Sequence, residues 1–448
     1  MMPTQVSGGG DPRPAGSSPF QLFFQTESAG GALLFLSMIA AMVVANSPWA
    51  DAYAAFWHTP IAIHVGSHAL SLSLHAWIND ALMAAFFLLV GLEIKRELVA
   101  GELSTLRQAA LPIAGALGGM IVPAAIYVLI TLGTPGAKGW GIPMATDIAF
   151  ALGALALVAP GVAKGAKVFL TALAIVDDMG AVIVIALVYT AQVNWPALGA
   201  ALGVYVVLIA LNRLNVRALT PYLALGVVLW FFVHESGVHA TIAGVLLALT
   251  IPTRSRINAR EFSEQARALI DEFDRTETGD LLVLTSKGQQ EALFALERAS
   301  DAVTEPLLRV EHALHTFAAF VVMPLFAIAN AGVTIGGAHD VPVSAAAALG
   351  LALGKPAGIM LASWLAVRSG LAPLPQRVSW RVLHACAWLA GIGFTMSIFI
   401  ATLAFDGTPQ LEAAKVGVLT GSLVAGMVAV WLIRRVRSEF SHEGAAEV

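Results

Sequence analysis

The chain has 448 residues, 58% of them hydrophobic and 12% charged, with 25 Lys and Arg against 29 Asp and Glu and a formal net charge of -4. Soluble domains carry roughly 25% charged residues, so the composition excludes an ordinary soluble protein, and apolar runs of about 20 residues, the helical length that crosses some 30 Å of hydrocarbon, exclude a membrane β-barrel. The single cysteine, Cys386, excludes an internal disulfide.

Residues 1–19, MMPTQVSGGGDPRPAGSSP, lack the basic start and apolar core of a secretory signal and read as a disordered cytoplasmic tail. Twelve hydrophobic segments follow within residues 20–437, at about 24–46, 76–98, 109–130, 141–160, 168–190, 196–212, 219–233, 237–251, 313–332, 344–367, 383–405 and 412–433. This is the pattern of an all-α polytopic membrane protein. Between the first two segments, IAIHVGSHALSLSL (61–74) alternates apolar and polar residues on both sides of GSH. That alternation fits a small two-stranded hairpin, with an amphipathic interfacial loop as the alternative. A cytoplasmic insert at about 252–311 sets Phe262, Ala266, Leu269 and Phe273 at helical spacing, then a polar break, then a second helical pattern around QEALFALERASDAV. A helical pair on the membrane surface is expected there. Residues 438–448 read as a second cytoplasmic tail.

The basic residues set the orientation. With a cytoplasmic N-terminus, Lys95, Arg96, Arg107, Lys164, Lys167, Arg213, Arg217, the whole insert, Arg368, Arg377, Arg381, Arg434, Arg435 and Arg437 fall inside. Only Lys138 and Lys415 fall outside, and Lys355 lies within a span. Lys and Arg accumulate on the cytoplasmic side of membrane proteins, so both termini are expected there, and deleting any one span would break the pattern.

Ionisable residues inside spans are expensive and carry function by default. Asp147 follows Pro143 and Thr146 in PMATDIAFALGALAL, where the proline weakens helix continuity. An interrupted helix would put Asp147 at the start of a second half-helix, where free backbone N–H groups meet its carboxylate. A second weak point is AGIGFTMSIFIATLAF in segment 11, with Gly391, Gly393, Thr395 and Ser397. Segments 4 and 11 hold corresponding places in two three-span groups, 3–5 and 10–12. Paired interruptions of this kind point to a transport site at the midplane, a rule for which the family named below is itself an example. Asp177 and Asp178 interrupt TALAIVDDMGAVIVIALVYT in segment 5, and Lys355 lies halfway along segment 10. A lysine at that depth needs an anion, loses its charge, or faces water. Successive helix residues point about 100° apart, so the two aspartates take different jobs, one toward a hydrated cavity and one toward a neighbouring helix. By default Glu93, Arg96 and Glu97 in GLEIKREL and Glu311, His312 and His315 in RVEHALHTF are solvated helix ends, and His239 in SGVHATIAG is an interfacial histidine.

The stretches WINDALMAAFFLLVGLEIKREL, ATDIAFALGALAL, LAIVDDMGAVIVIALVYT, SGVHATIAGV, PLFAIANAGV, GKPAGI and GIGFTMSIFIA, in this order, resemble the NhaA-type bacterial sodium–proton antiporters from about residue 20 to 437. The resemblance implies twelve transmembrane helices with inverted repeats, segments 4 and 11 unwound and crossing at the midplane, and a homodimer held through the outer hairpin at 61–74. It implies that Asp147, Asp177, Asp178, Thr146 and Lys355 carry ion binding and proton transfer, with Na⁺ or Li⁺ at Asp178, Asp177, Asp147 and Thr146. It also links Glu93, Arg96, Glu97, Glu311, His312 and His315, at the cytoplasmic funnel, and His239 to a response to pH.

On this reading the protein is not an enzyme and needs no cofactor; its partners are Na⁺ or Li⁺, protons, the bilayer of a bacterial inner membrane and a second copy of itself, with no nucleic acid. An aspartate in a partly dry cavity holds a proton or a hard cation, and not easily both. Competition for the same carboxylates then couples Na⁺ exit to H⁺ entry, electrogenically, because the resemblance implies more protons than sodium ions per cycle. Two other readings fit the sequence. A sodium-coupled solute symporter would need a further substrate pocket. An intramembrane aspartyl protease would need two aspartates on separate spans, but no GxGD follows an apolar run, and a third aspartate and the lysine would be unexplained.

Overall fold

The computed structural model describes residues 19–65, 68–159, 164–190, 193–255, 257–276, 286–334, 340–375 and 378–436. The expected tails therefore lie outside the described residues, except that Pro19 already opens the first helix. Helix α1 (Pro19–Ala45) and the short α2 (Ala50–Trp57) meet at 117°. Strands β1 (Pro60–Val65) and β2 (His68–Ser73) pair antiparallel, Pro60 opposite Ser73 and Val65 opposite His68. Ile61 and Ile63 remain exposed on β1. Helix α3 (Leu74–Ala100) follows directly, and its Trp77 indole donates to the Ile61 carbonyl at 3.1 Å, which fixes the hairpin on the helix.

The remaining helices are α4 (Leu106–Thr131), the tightly wound 3-10 stretch α5 (Pro135–Met144), α6 (Ile148–Val158), α7 (Lys164–Val188), α8 (Trp195–Arg213), α9 (Leu219–Glu235) and α10 (Ile242–Thr250). Then come α11 (Ala259–Arg275), α12 (Lys287–Val303), α13 (Pro306–Asn330), α14 (Val341–Arg368), α15 (Trp380–Ala390), α16 (Phe394–Phe405) and α17 (Gln410–Arg435). Short polar side chains start several of them. Asn194 accepts from Ala197 N at the head of α8 and Asp340 from Val343 N at the head of α14, each satisfying a backbone donor that the first turn leaves open.

By length and apolarity, seven of these helices cross a bilayer alone: α3, α4, α7, α8, α13, α14 and α17. Counting the bent pairs α1 with α2, α5 with α6 and α15 with α16 as one span each brings the number to ten among the described residues. The segments expected at 219–233 and 237–251 form α9, with 17 residues, and α10, with nine, because Ser236 to Thr241 is spent on turns. The chain is an all-α polytopic membrane protein, with one small hairpin among the described residues.

Two features bring the polar residues of distant segments together. The α4 and α14 backbones touch where Gly118 faces Gly358, since a Cβ on Gly118 would overlap the Gly358 carbonyl oxygen; small residues permit this approach between membrane helices. Within α14, residues Gly350–Gly354 widen into a π-turn immediately before Lys355, a local irregularity that often accompanies function. On the other side of the core, Phe87 of α3 and Phe326 of α13 pack on Phe399 of α16 with ring centroids 5.4 and 6.0 Å away. Asn330 donates to Asn79 Oδ1 at 2.9 Å and accepts at the same distance from His75, tying the end of α13 to the start of α3.

The insert forms α11 and α12, packed on each other, while residues 277–285 between them lie outside the described residues. Helix α13 starts at Pro306, a residue suited to a first helical turn, so Glu311, His312 and His315 sit on a spanning helix.

Candidate ion site

Both bent helices break beside the same residues. Between α5 and α6, which meet at 44°, Ala145, Thr146 and Asp147 are non-helical; between α15 and α16, at 43°, the break runs through Gly391 to Gly393. The two breaks are bonded together: Asp147 N–H donates to the Ile392 carbonyl at 2.7 Å. The Asp147 carboxylate caps α6 by accepting from Phe150 N at 3.0 Å, and its second oxygen accepts from Thr395 N at 3.1 Å and from the Thr395 hydroxyl. A single buried carboxylate thus closes the N-terminal ends of α6 and α16, where the free N–H groups of two half-helices concentrate positive potential. Across the second break, Ser422 of α17 accepts from Gly393 N and Phe394 N at 3.2 and 3.1 Å.

Asp177 and Asp178 leave α7 in different directions. Asp177 Oδ2 lies 2.8 Å from Lys355 Nζ of α14 and accepts from the Thr146 hydroxyl at 2.7 Å. Neither side chain of that ion pair is exposed. Lys355 also donates to the Met144 carbonyl, and Thr146 Oγ1 lies 2.9 Å from the Ala390 carbonyl. Asp178 is 2% exposed, and its Oδ1 has no hydrogen-bond partner among the described residues, like Asp177 Oδ1 and Ser397 Oγ. Buried carboxylate oxygens without donors are costly, and they are the ligands that a hard cation or a proton would satisfy.

A cavity of about 230 Å³ leads toward this cluster between α1, α3, α6, α7 and α13. Its rim carries Arg96, Glu311 and His315, with Glu93 further in, and its inner wall reaches Ile148, the neighbour of Asp147, and Ile175, one turn from Asp178. Arg96 bridges Glu311 at 2.5 Å and Glu97 at 3.3 Å. Glu97 is also bonded to Glu102 N at 2.9 Å, and neither it nor the exposed His312 lines the cavity. His239 stands elsewhere. It bonds the Tyr189 carbonyl at 3.0 Å ahead of α10, whereas Lys95, beside Arg96, holds the Leu249 and Ile251 carbonyls at 2.7 and 2.5 Å at the far end of that helix.

The structure therefore brings Asp147, Thr146, Asp177, Asp178 and Lys355 to the helix breaks, sets Glu93, Arg96, Glu311 and His315 along a cavity, and leaves Glu97, His239 and His312 outside both groups. Thr395, noted in the sequence only as a polar residue in a weak stretch, belongs to the site through Asp147. The carbonyls of Met144, Ala390 and Ile392 belong to it as well, and backbone groups leave no signal in residue type.

The family model described as Na⁺/H⁺ antiporter 1 matches residues 21–433. Among curated proteins, the Na⁺/H⁺ antiporter NhaA of Oleidesulfovibrio alaskensis is 49% identical over 422 residues, covering 93% of this chain and 94% of the relative. Its namesakes in Koribacter versatilis and Helicobacter pylori are 48% and 47% identical, covering 92% and 91% of this chain and 91% and 93% of the relatives. Matched from α1 into α17, the chain belongs to the Na⁺/H⁺ antiporter 1 family.

Proposed function

We propose that this protein is a secondary transporter that exchanges cytoplasmic Na⁺ or Li⁺ for external H⁺, with Asp178 as the primary cation ligand and Asp147, Asp177 and Thr146 shaping the site. One observation carries this reading: the Lys355–Asp177 pair is buried beside two interrupted helices, while the adjacent Asp178 Oδ1 is left without a partner. Asp178 takes a sodium ion, whose hard charge suits oxygen ligands, or a proton. A bare carboxylate is too costly to expose to hydrocarbon, so each transit of the site carries one or the other. Lys355 supplies a counter-charge to Asp177.

The same reading takes the spanning segments as twelve, with α9 and α10 among them and inverted repeats around the two breaks. It places the chain in a bacterial inner membrane with both termini cytoplasmic, as a homodimer joined through the 61–74 hairpin. More protons enter than sodium ions leave, so each net charge moved inward draws about 2.3 kcal/mol per 100 mV from an inside-negative potential. Glu93, Arg96, Glu97, Glu311, His312 and His315, with His239, adjust the rate to cytoplasmic pH.

The test is dissipation of a preset pH gradient in inverted vesicles on adding NaCl, LiCl or KCl with no organic solute present. Recovery with Na⁺ or Li⁺ and none with K⁺ is expected. A requirement for an organic solute would replace exchange by symport.

A further inference from the structure

A second, apolar groove lies against the helix breaks, and none of the residues lining it lines the ion cavity. It has a volume of about 360 Å³, and its walls include Phe35 and Met38 of α1, Phe150 of α6, Ile392 and Phe394 at the second break, and Leu423 of α17. All of these belong to spanning segments or to the break within one, so the open side of the groove faces hydrocarbon, where no water competes for it. Along α17 its floor is the stripe Leu419, Ser422, Gly426 and Val430. From Leu419 to Val430 that stripe covers about 16 Å at 1.5 Å per residue, close to the roughly 15 Å depth of one hydrocarbon leaflet. Its inner end lies at the break, where Ser422 holds the Gly393 and Phe394 amides. Its outer end leads to Arg434, which follows Val430 by one turn on the same helix face and is exposed, with no ion pair among the described residues. The neighbouring Arg435 is already committed, its guanidinium 3.8 Å above the Trp431 ring.

We propose that a phospholipid from the leaflet at the C-terminal end of α17 seats one acyl chain in this groove and its phosphate on the Arg434 guanidinium. The groove has the depth of one leaflet, apolar walls along that depth, and an uncommitted cation at the level of the headgroups. The tip of the chain packs on Ile392 and Phe394. Those residues flank Gly393, and the Ile392 carbonyl receives the Asp147 amide. The lipid thereby becomes part of the packing that holds the break, and its loss leaves Ile392 and Phe394 without dispersion contacts on that side.

The test compares wild-type protein with Gly426→Phe, Ala154→Leu and Arg434→Gln in native mass spectrometry, after graded delipidation and re-addition of palmitoyl-oleoyl phosphatidylglycerol. A Cβ on Gly426 would meet only Ile392, at an ordinary 3.6 Å, so the new ring enters the groove without displacing backbone; Ala154→Leu narrows the groove from the opposite wall. Wild type is expected to retain one lipid per chain after the loosely held shell is gone. Both groove variants should lose it, and Arg434→Gln should hold it roughly tenfold more weakly, about 1.4 kcal/mol. Equal retention by wild type and both groove variants would mean a general annular shell and overturn the proposal. Equal retention by Arg434→Gln alone would remove the phosphate contact and with it the proposed headgroup site. Lipid retention is read without any ion gradient, so failure here leaves the exchange reading untouched.

Discussion

Lys355 Nζ and Asp177 Oδ2 stand 2.8 Å apart with neither side chain exposed, and the nearer oxygen of the pair is shared with the Thr146 hydroxyl. A buried pair of this kind is balanced only while both charges are present. Removing one partner leaves the other uncompensated, typically at about 3–5 kcal/mol.

Asp177→Asn is therefore expected to lower thermal stability in detergent as well as exchange in vesicles, and adding Lys355→Gln to the same protein should return part of that stability. A double variant no more stable than Asp177→Asn would show that Lys355 draws its compensation from another anion or from the Met144 carbonyl.

Asp178 should behave in the opposite way. Its Oδ1 has no hydrogen bond to lose, so Asp178→Asn should abolish Na⁺-driven proton movement while leaving thermal stability unchanged or slightly raised. Retained exchange in a variant that inserts normally would remove Asp178 from the cation site.

Thr395 reaches Asp147 with both its amide and its hydroxyl. Thr395→Val keeps the amide and deletes the hydroxyl, a hydrogen bond to a charged acceptor worth about 1.5–3 kcal/mol. The expected result is a loss of stability in that range together with a raised half-saturating Na⁺ concentration. A change in stability alone would assign Thr395 to the fold and not to the site.

The Arg96–Glu311 bridge joins a half-exposed guanidinium to a nearly buried carboxylate at the cavity rim. The Arg96 guanidinium that Glu311→Gln would leave behind is half-exposed to water and still beside Glu97, so the loss of stability should be small. Its expected effect is on the dependence of exchange rate on pH, whose midpoint should move while the maximal rate is kept. An unchanged profile in both Glu311→Gln and Glu97→Gln would leave these residues as ordinary surface charges.

Edge strands pair readily across a two-fold axis, and among the described residues the β1–β2 hairpin is a two-stranded sheet with no further strand on either edge. Its deletion should convert a dimer into monomers that still exchange ions. Native mass spectrometry decides the matter, and a dimer of undiminished abundance would move the subunit contact elsewhere.

The chemistry of the site was legible where charge had to be compensated. A lysine in the middle of an apolar run demanded an anion, and the 100° turn between Asp177 and Asp178 meant that only one of them would meet it squarely. Pro143 and the glycines of segment 11 marked both breaks because each disfavours a continuous helix. Part of the bonding between the breaks was invisible, since it runs through the Ile392 and Ala390 carbonyls, and every residue has a carbonyl. Helix lengths are less legible where polarity and turns compete. The apolar run at 237–251 yields only a nine-residue α10, and α13 starts at Pro306, so Arg309 and Glu311, whose polarity fits the insert, lie on it.

The Thr146 hydroxyl has one hydrogen and two claimants, Asp177 Oδ2 at 2.7 Å and the Ala390 carbonyl at 2.9 Å. When Asp177 is ionised, the charged acceptor makes the stronger bond and takes that hydrogen, which leaves the last turn of α15 with a carbonyl unanswered. Once Asp177 carries a proton of its own, it donates to Thr146, and the hydroxyl is released to Ala390. Loading one carboxylate thus rewires a carbonyl on the edge of the other broken helix, so α15 registers through the Thr146 hydroxyl whether Asp177 is occupied.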